Sequence, residues 1–437
     1  MSPPPYRVLR HPDFRLLWLS QLVSQTGSQM QTVALHWHVY LLTRSPLALG
    51  ALGLTRVVPI VLFSLWGGVA ADRLDRRRVM FATQAAMLAG AAALAALTLT
   101  GHESLGVLYG ANALLASAAA FDNPARNALV PRLVPLAELP AALSLNLTMF
   151  HAATIGGPAL AGLLIAGAGP PSAGLAALAG SDASGDTARL ALIYALNALS
   201  FVGVLCALLF MRTSGRVEAG RGAHEAPLAA LREGLRFVFG TPIMVWTTGL
   251  DFFATFFAGS LSLLPIFADQ VLHAGPAGYG WLVSAPALGA LAGSLYASFR
   301  HLPARQGRLL LASVTAYGAA TVVYGLSRSY WLTFLALALG GLADLVSTVI
   351  RQTLRQMLTP DGLRGRMTSV NMIFFTGGPQ LGELEAGVVA SLFASAAVGV
   401  TVAVVSGGIG TILLAAGVAV LAPVVREYVQ PATPPSV

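Results

Sequence analysis

Four acids and one arginine stand where water is scarce. Arg56, Asp251, Asp344, Glu383 and Glu385 all lie inside long apolar stretches of the sequence. A charge placed in hydrocarbon costs about 3 kcal/mol or more unless it is paired, hydrated or, for a carboxyl group, protonated. Asp251 and Asp344 fall near the middle of two such stretches. A carboxyl group in that setting can hold a proton and trade it with either side, so these two are the candidates for proton coupling. The alternative for each is a structural hydrogen bond to a neighbouring helix.

A second set of polar residues repeats at helical spacing. Ser20, Gln21, Ser24, Gln25, Ser28, Gln29, Thr32 and His36 step by fours, which places them on one face of a helix. That face cannot meet lipid comfortably, so it lines a cavity or bonds a neighbouring helix. Amides and hydroxyls suit a neutral or zwitterionic organic substrate rather than a bare ion. His36, His38 and His151 lack the spacing of zinc ligands, and no metal or cofactor is expected.

A charge knot separates two apolar stretches at Gly67-Gly68-Val69-Ala70-Ala71-Asp72-Arg73-Leu74-Asp75-Arg76-Arg77-Arg78. Its acids and arginines can form ion pairs and bond the terminal carbonyls of neighbouring helices. Such a knot acts as a conformational latch or simply as an inner-side anchor. Further on, Gly156-Gly157-Pro158-Ala159-Leu160-Ala161-Gly162 combines small residues for close helix approach with a proline that interrupts the backbone ladder.

These residues need a membrane to make sense. Of 437 residues, 56% are hydrophobic and 10% charged, and the mean hydropathy is +0.72. A soluble chain carries about a quarter charged residues. Apolar runs of about twenty residues recur, each long enough to cross some 30 Å of hydrocarbon, and in lipid they must be helices. Twelve spans are predicted, over 16–40, 46–70, 79–99, 105–122, 140–166, 189–211, 242–268, 278–299, 309–327, 330–350, 367–393 and 399–425. With the N-terminus inside, 22 of the 26 arginines fall in inner gaps, Arg126 and Arg351 among them. Only Arg44, Arg189 and Arg328 fall outside. That asymmetry predicts a multi-pass membrane protein with both termini cytoplasmic. The first fifteen residues read as an uncleaved cytoplasmic segment.

Composition also excludes chemistry. Every basic residue among the 26 Lys+Arg is arginine, so neither a P-loop nor a lysine Schiff base is possible. Cys206 is the only cysteine, which rules out an intrachain disulfide and a cysteine-based zinc site. The net charge of +8 is scattered through short gaps, which argues against nucleic acid.

The chain repeats itself at an offset of 225 residues. Arg126, Leu129, Leu133, Pro135, Ser144, Asn146, Phe150, Gly157 and Gly162 align without gaps to Arg351, Leu354, Leu358, Pro360, Ser369, Asn371, Phe375, Gly382 and Gly387. Gly68 aligns likewise to Gly293, while Ala297 stands at the counterpart of Asp72. Two parallel six-helix bundles follow, over 1–211 and 242–437. The join at 212–241 is polar and contains Leu228, Leu231, Leu235 and Val238 at helical spacing, an amphipathic helix on the inner surface. The outer loop 167–187 is rich in Gly, Ala, Ser and Pro and is expected to be mobile.

The charge knot resembles the G-x-x-x-D-R-x-x-R-R loop of major facilitator transporters, with Gly68, Asp72, Arg73, Arg76 and Arg77 at the matching positions. The resemblance covers essentially the whole chain. It implies the all-α fold of twelve transmembrane helices in two pseudo-symmetric bundles. It implies a latch in which these residues pair with an acid at the inner end of the fourth span, where Asp122 stands. It implies that the first, fourth, seventh and tenth spans line the substrate path, with Gln21, Gln25, Ser28, Gln29, Thr32 and His36 facing it. It places the second span beside the eleventh, so that Arg56 with Glu383 or Glu385 would close an outer gate. Gly157, Pro158 and Gly162 resemble the core of a helix-packing motif of exporting members; ordinary small-residue packing is the alternative.

The segment Phe121-Asp122-Asn123-Pro124-Ala125-Arg126-Asn127-Ala128-Leu129-Val130-Pro131 resembles the siderophore and drug efflux branch. That branch implies a proton-coupled exporter of an amphipathic organic compound, working by alternating access. The expected partners are a small-molecule substrate, protons and membrane lipid, in a monomer. An importer or lipid flippase on the same fold is the alternative. A membrane sensor would want a larger soluble domain, and an enzyme would want a convergent His/Asp/Ser cluster, which the sequence lacks.

Overall fold

The computed structural model describes residues 5–167, 185–216, 227–299, 303, 305–360 and 363–429. Among these the regular structure is helical throughout, without strands. Thirteen helices carry the fold: α1 (Pro12–Thr43), α2 (Pro46–Arg73), α3 (Arg76–Leu99), α4 (Leu105–Leu129), α5 (Leu139–Ile165), α6 (Gly185–Phe210), α7 (Pro227–Gly240), α8 (Pro242–Phe257), α9 (Gly275–Phe299), α10 (Gln306–Leu326), α11 (Tyr330–Leu358), α12 (Arg364–Ser391) and α13 (Ala396–Leu421). α7 is the amphipathic linker helix. The other twelve are the expected spans. The expected mobile loop at 167–187 and the linker at 217–226 fall largely outside the described residues.

Among the described residues, ten helices are long and apolar enough to cross a membrane. The two spans that fall short, α1 and α12, are those carrying the polar stripe and the acids Glu383 and Glu385. Their polar residues turn inward: Gln21, Ser24, Gln31 and His38 of α1 are all buried. Large apolar residues turn outward instead, including Leu199, Phe210, Trp331, Leu413 and Val420. A surface of that kind belongs in lipid.

Local signals set the helix ends. Asp75 caps α3, accepting from the backbone of Arg77 at 3.0 Å, and Ser104 caps α4. Prolines open α1, α2 and α8 where a missing N–H costs nothing. Three boundaries differ from those read in the sequence. α4 and α11 run several residues past the expected inner ends, so Arg126 and Arg351 stand on helices rather than in loops. The span expected at 242–268 is one apolar stretch, Pro242–Val271, but its first helix ends at Phe257 and its last turn, Phe267–Val271, is wider. There Gly259 lies so close to Gly382 that a Cβ would collide with its backbone.

The repeat is visible in the helices. α4 and α11 start 225 residues apart, as do α5 and α12. Contacts divide the chain into two units. One is Met1–Arg44, Thr55–Pro227 and Ala274–Ser284; the other is Ser45–Leu54, Leu228–His273 and Ala285–Val437. The division is thus not a single cut at the linker. In the first unit Gly162 of α5 meets Gly280 of α9; in the second Gly387 of α12 meets Gly50 of α2. Any side chain at these crossings would strike backbone, and Gly162 and Gly387 are repeat mates. The first unit has a core around Phe14, Leu17, Met80, Leu129 and Leu208. The second packs around Met244, Leu250, Leu310, Ile350 and Leu354.

Candidate functional site

The charge knot joins α2 to α3 and grips the ends of three helices. Arg76 donates to the carbonyl of Ala71 at 3.1 Å and to that of Ala128 at 2.9 Å, at the ends of α2 and α4. Arg77 donates to Leu209 O, at the end of α6, at 3.0 Å. Guanidinium groups at helix C-termini satisfy orphan carbonyls and complement the helix dipole. Asp72 and Arg73 are exposed, and Asp75 makes the capping bonds. Asp122 is not held by arginine. It is buried and accepts from Thr83 Oγ1 and Gln84 Nε2, both of α3 and both at 3.0 Å. Gly67 rather than Gly68 makes the close approach, since a Cβ at Gly67 would strike Ala120 O while Gly68 faces open space. The linker is tied on beside this cluster. Asp13, at the start of α1, accepts from the backbone N–H groups of Arg212 and Thr213 at 3.1 and 2.7 Å. Burial pushes the Asp13 carboxyl up, but the bonds from Thr213 and Arg212 outweigh it and hold the group below the usual carboxylate range.

Each unit carries one arginine centre, and the two are repeat mates. In the first unit, Arg126 of α4 donates to Gln21 Oε1 of α1 at 2.7 Å and to Asn123 Oδ1, one turn back, at 2.6 Å. Beside it lies a cavity of about 270 Å³ lined by Phe14, Trp18, Gln21, Gln25, Asn127 and Asn146 among others. Trp18 is fixed there by its indole N–H on Leu145 O. In the second unit, Arg351 of α11 reaches Asp251 Oδ1 of α8 at 2.8 Å and lies 3.9 Å from Asp344 Oδ1. It also donates to Thr348 Oγ1 at 2.9 Å. Thr348 is the repeat mate of Asn123. The Arg351 and Asp251 side chains are 6% and 9% exposed, that of Asp344 43%. A cavity of about 240 Å³ opens against both aspartates and is lined as well by Tyr317, Tyr324, Phe375 and Glu383.

The remaining candidates are distributed as follows. Of the stripe on α1, Gln21 and Gln25 line the first cavity; Ser28, Gln29, Thr32 and His36 are not among its lining residues. Thr32 and His36 bond carbonyls of their own helix, Ser28 O and Thr32 O. Gly157 backs onto Gln29 and Thr26 of α1, and Gly162 onto α9, with Pro158 buried between them. Arg56 belongs to the first unit, Glu383 and Glu385 to the second. Sequence reasoning placed Arg126 and Arg351 in loops and so missed both centres, although the alignment of the two arginines was the available signal.

A family model described as transmembrane secretion effector matches residues 4–435. The enterobactin exporter EntS of Shigella boydii serotype 18 is 26% identical over 361 residues, covering 82% of this chain and 81% of that protein. Its counterpart in Escherichia coli O81 matches to the same extent. Among solved structures, a bacterial homologue of the lysosomal transporter Spinster, in an inward-facing and unoccupied conformation, superposes with a TM-score of 0.72 at 17% identity, over 96% of this chain and 99% of that one. The nucleoside transporter NupG gives 0.68 at 13% identity, over 93% and 98%. The helical fold is that of these solved transporters, and the family match with the exporter relatives makes the chain a membrane transporter of the major facilitator class. Within that class, the chain belongs to the transmembrane secretion effector family.

Proposed function

We propose that the protein is a proton-coupled exporter of an amphipathic organic compound such as a siderophore or drug, working by alternating access as a monomer in a bacterial inner membrane, with both termini in the cytoplasm. Export is favoured by the likeness to enterobactin exporters over four-fifths of the chain. Coupling rests on one observation: a single buried arginine is shared by two carboxylates at the wall of a cavity. Protonating Asp251 removes its claim on Arg351, which is then free to pair with Asp344. The reverse exchange returns the proton. Such a shared cation makes the state of one acid depend on the other.

The test is substrate-dependent proton movement in proteoliposomes, screened over siderophores and antibiotics. Asp251→Asn and Asp344→Asn are expected to abolish the dependence of flux on a pH gradient, and Asp344→Glu to keep it. Wild-type flux that ignores the gradient, or coupling that survives both substitutions, refutes the assignment.

A further inference from the structure

The first unit's arginine centre has donors and no acid to receive them. Arg126 is half-buried, and its hydrogen-bond acceptors are two neutral amides, Gln21 Oε1 and Asn123 Oδ1. Among the described residues no carboxylate forms an ion pair with it, although its repeat mate Arg351 has two within 4 Å. Gln21 is 1% exposed, and with its oxygen committed to Arg126 its Nε2 has no hydrogen-bond partner among the described residues. A buried amide N–H left unbonded has lost its water partner without a replacement. Both residues line the same cavity, so the guanidinium and the side chain that carries the unsatisfied amide border one space.

The rest of the lining fits one kind of occupant. Gln25, Asn127 and Asn146 add further amide groups, and no acid lines the cavity. The aromatic rings of Phe14, Trp18 and Phe150 supply apolar walls on which a planar group can stack. The volume, about 270 Å³, lies just below the range of about 300–1,000 Å³ for ligand pockets, so it takes one ring system with its charged group rather than a large molecule whole.

We propose that Arg126 and the free amide of Gln21 form, with Gln25, Asn127 and Asn146, a subsite for the anionic group of an aromatic organic acid. The subsite deepens the exporter reading and rests on it, since it names the part of the exported compound that the first unit holds. The acid's oxygens accept from the guanidinium and from Gln21 Nε2, and its ring lies against Phe14, Trp18 or Phe150. Lysine at position 126 would keep the charge but lose the fork of donors.

Binding to the purified full chain in detergent, read by titration calorimetry, tests this with three probes on one skeleton: indole-3-propionate, tryptamine and 3-ethylindole. The acid is expected to bind about tenfold tighter than the amine or the neutral compound, in keeping with a charge-assisted contact. Arg126→Gln should erase that preference and Arg126→Lys keep part of it. If Arg126→Gln does not fold, Gln21→Glu decides the matter: it gives the arginine a carboxylate partner, and acid binding should fall about tenfold while the melting temperature does not. Equal binding of the three probes, no binding at all, or acid binding unmoved by Gln21→Glu overturns the proposal. So does loss of acid binding when phosphatidylglycerol replaces phosphatidylcholine in nanodiscs, which would mark the cradle as a lipid headgroup site. No gradient enters these measurements. Anion-selective binding with flux that ignores pH would keep the subsite and remove the coupling, and charge-blind binding with coupled flux would do the reverse.

Discussion

Two arginines 225 residues apart bond a partner at the same relative position and have opposite surroundings. Each sits in the C-terminal part of the fourth helix of its half and bonds a polar residue one turn earlier, Asn123 for Arg126 and Thr348 for Arg351. Each then crosses to the first helix of its half. There Arg126 finds the amide of Gln21, and Arg351 finds the carboxylate of Asp251. At the 225-residue offset Asp251 corresponds to Thr26, whose hydroxyl turns back to Leu22 O, and Asp344 corresponds to Ala119. The cation and its tether are present in both halves, and among the described residues acids pair with the arginine in the second half alone. A lone guanidinium seeks an anion from outside; one shared by two carboxylates is already neutralised and can register a proton. On the proposed reading the two halves divide the work, with substrate charge held in the first and protons handled in the second.

The comparison breaks or sharpens most directly at the arginines themselves. Arg351→Gln removes the cation that bonds the buried Asp251, leaving only the field of Arg355, and is expected to cost about 3 kcal/mol. Arg126→Gln strands only neutral amides and is expected to cost about 1–2 kcal/mol. Melting temperatures of the two variants in detergent measure the difference, and equal losses would show the centres to be equivalent.

A smaller contrast lies at the charge knot, which has an acid at Asp72 where the second half has Ala297. Asp72→Asn is expected to slow transport several-fold while the protein still reaches the membrane, because Asp72 is exposed and no helix cap depends on it. Asp75→Ala should instead lower stability by about 1 kcal/mol through the lost cap. Transport assays with membrane quantification separate the two. An Asp72→Asn variant at wild-type rates would mean that the knot is an anchor only.

The smallest effect is expected at Asp13, the tie between the linker and α1. Its carboxyl is held below the ordinary range, so its contribution is present above the unfolded value of about 3.9 and lost as pH falls through the folded one. Melting curves at successively lower pH should therefore fall off more steeply in the wild type than in Asp13→Asn. Parallel curves would remove the carboxylate from the account of that tie.

Much of this was legible in residue order. Apolar runs of about twenty residues leave the backbone no choice but helix in lipid, so the twelve spans could be read directly. Asp251 and Asp344 stood out because charge is rare where they sit. Other features were not legible. The knot suggested that its arginines would meet Asp122, yet Asp122 is satisfied by Thr83 and Gln84, and the arginines by carbonyls. Carbonyl acceptors are present at every residue, so no residue type announces them. Arg126 and Arg351 were misread for a related reason. A count of positive charge near span ends cannot distinguish an arginine in a loop from one that its helix carries into the protein.

The sequence by itself determined the class of structure, the number of spans and the internal duplication, because hydropathy and spacing act along the chain. The tertiary structure decided which of the two arginines has a counter-charge, which side chains bond the other and which polar residues open onto a cavity. Those outcomes depend on distances of about 3 Å between residues a hundred or more positions apart, and such distances are fixed only when helices pack.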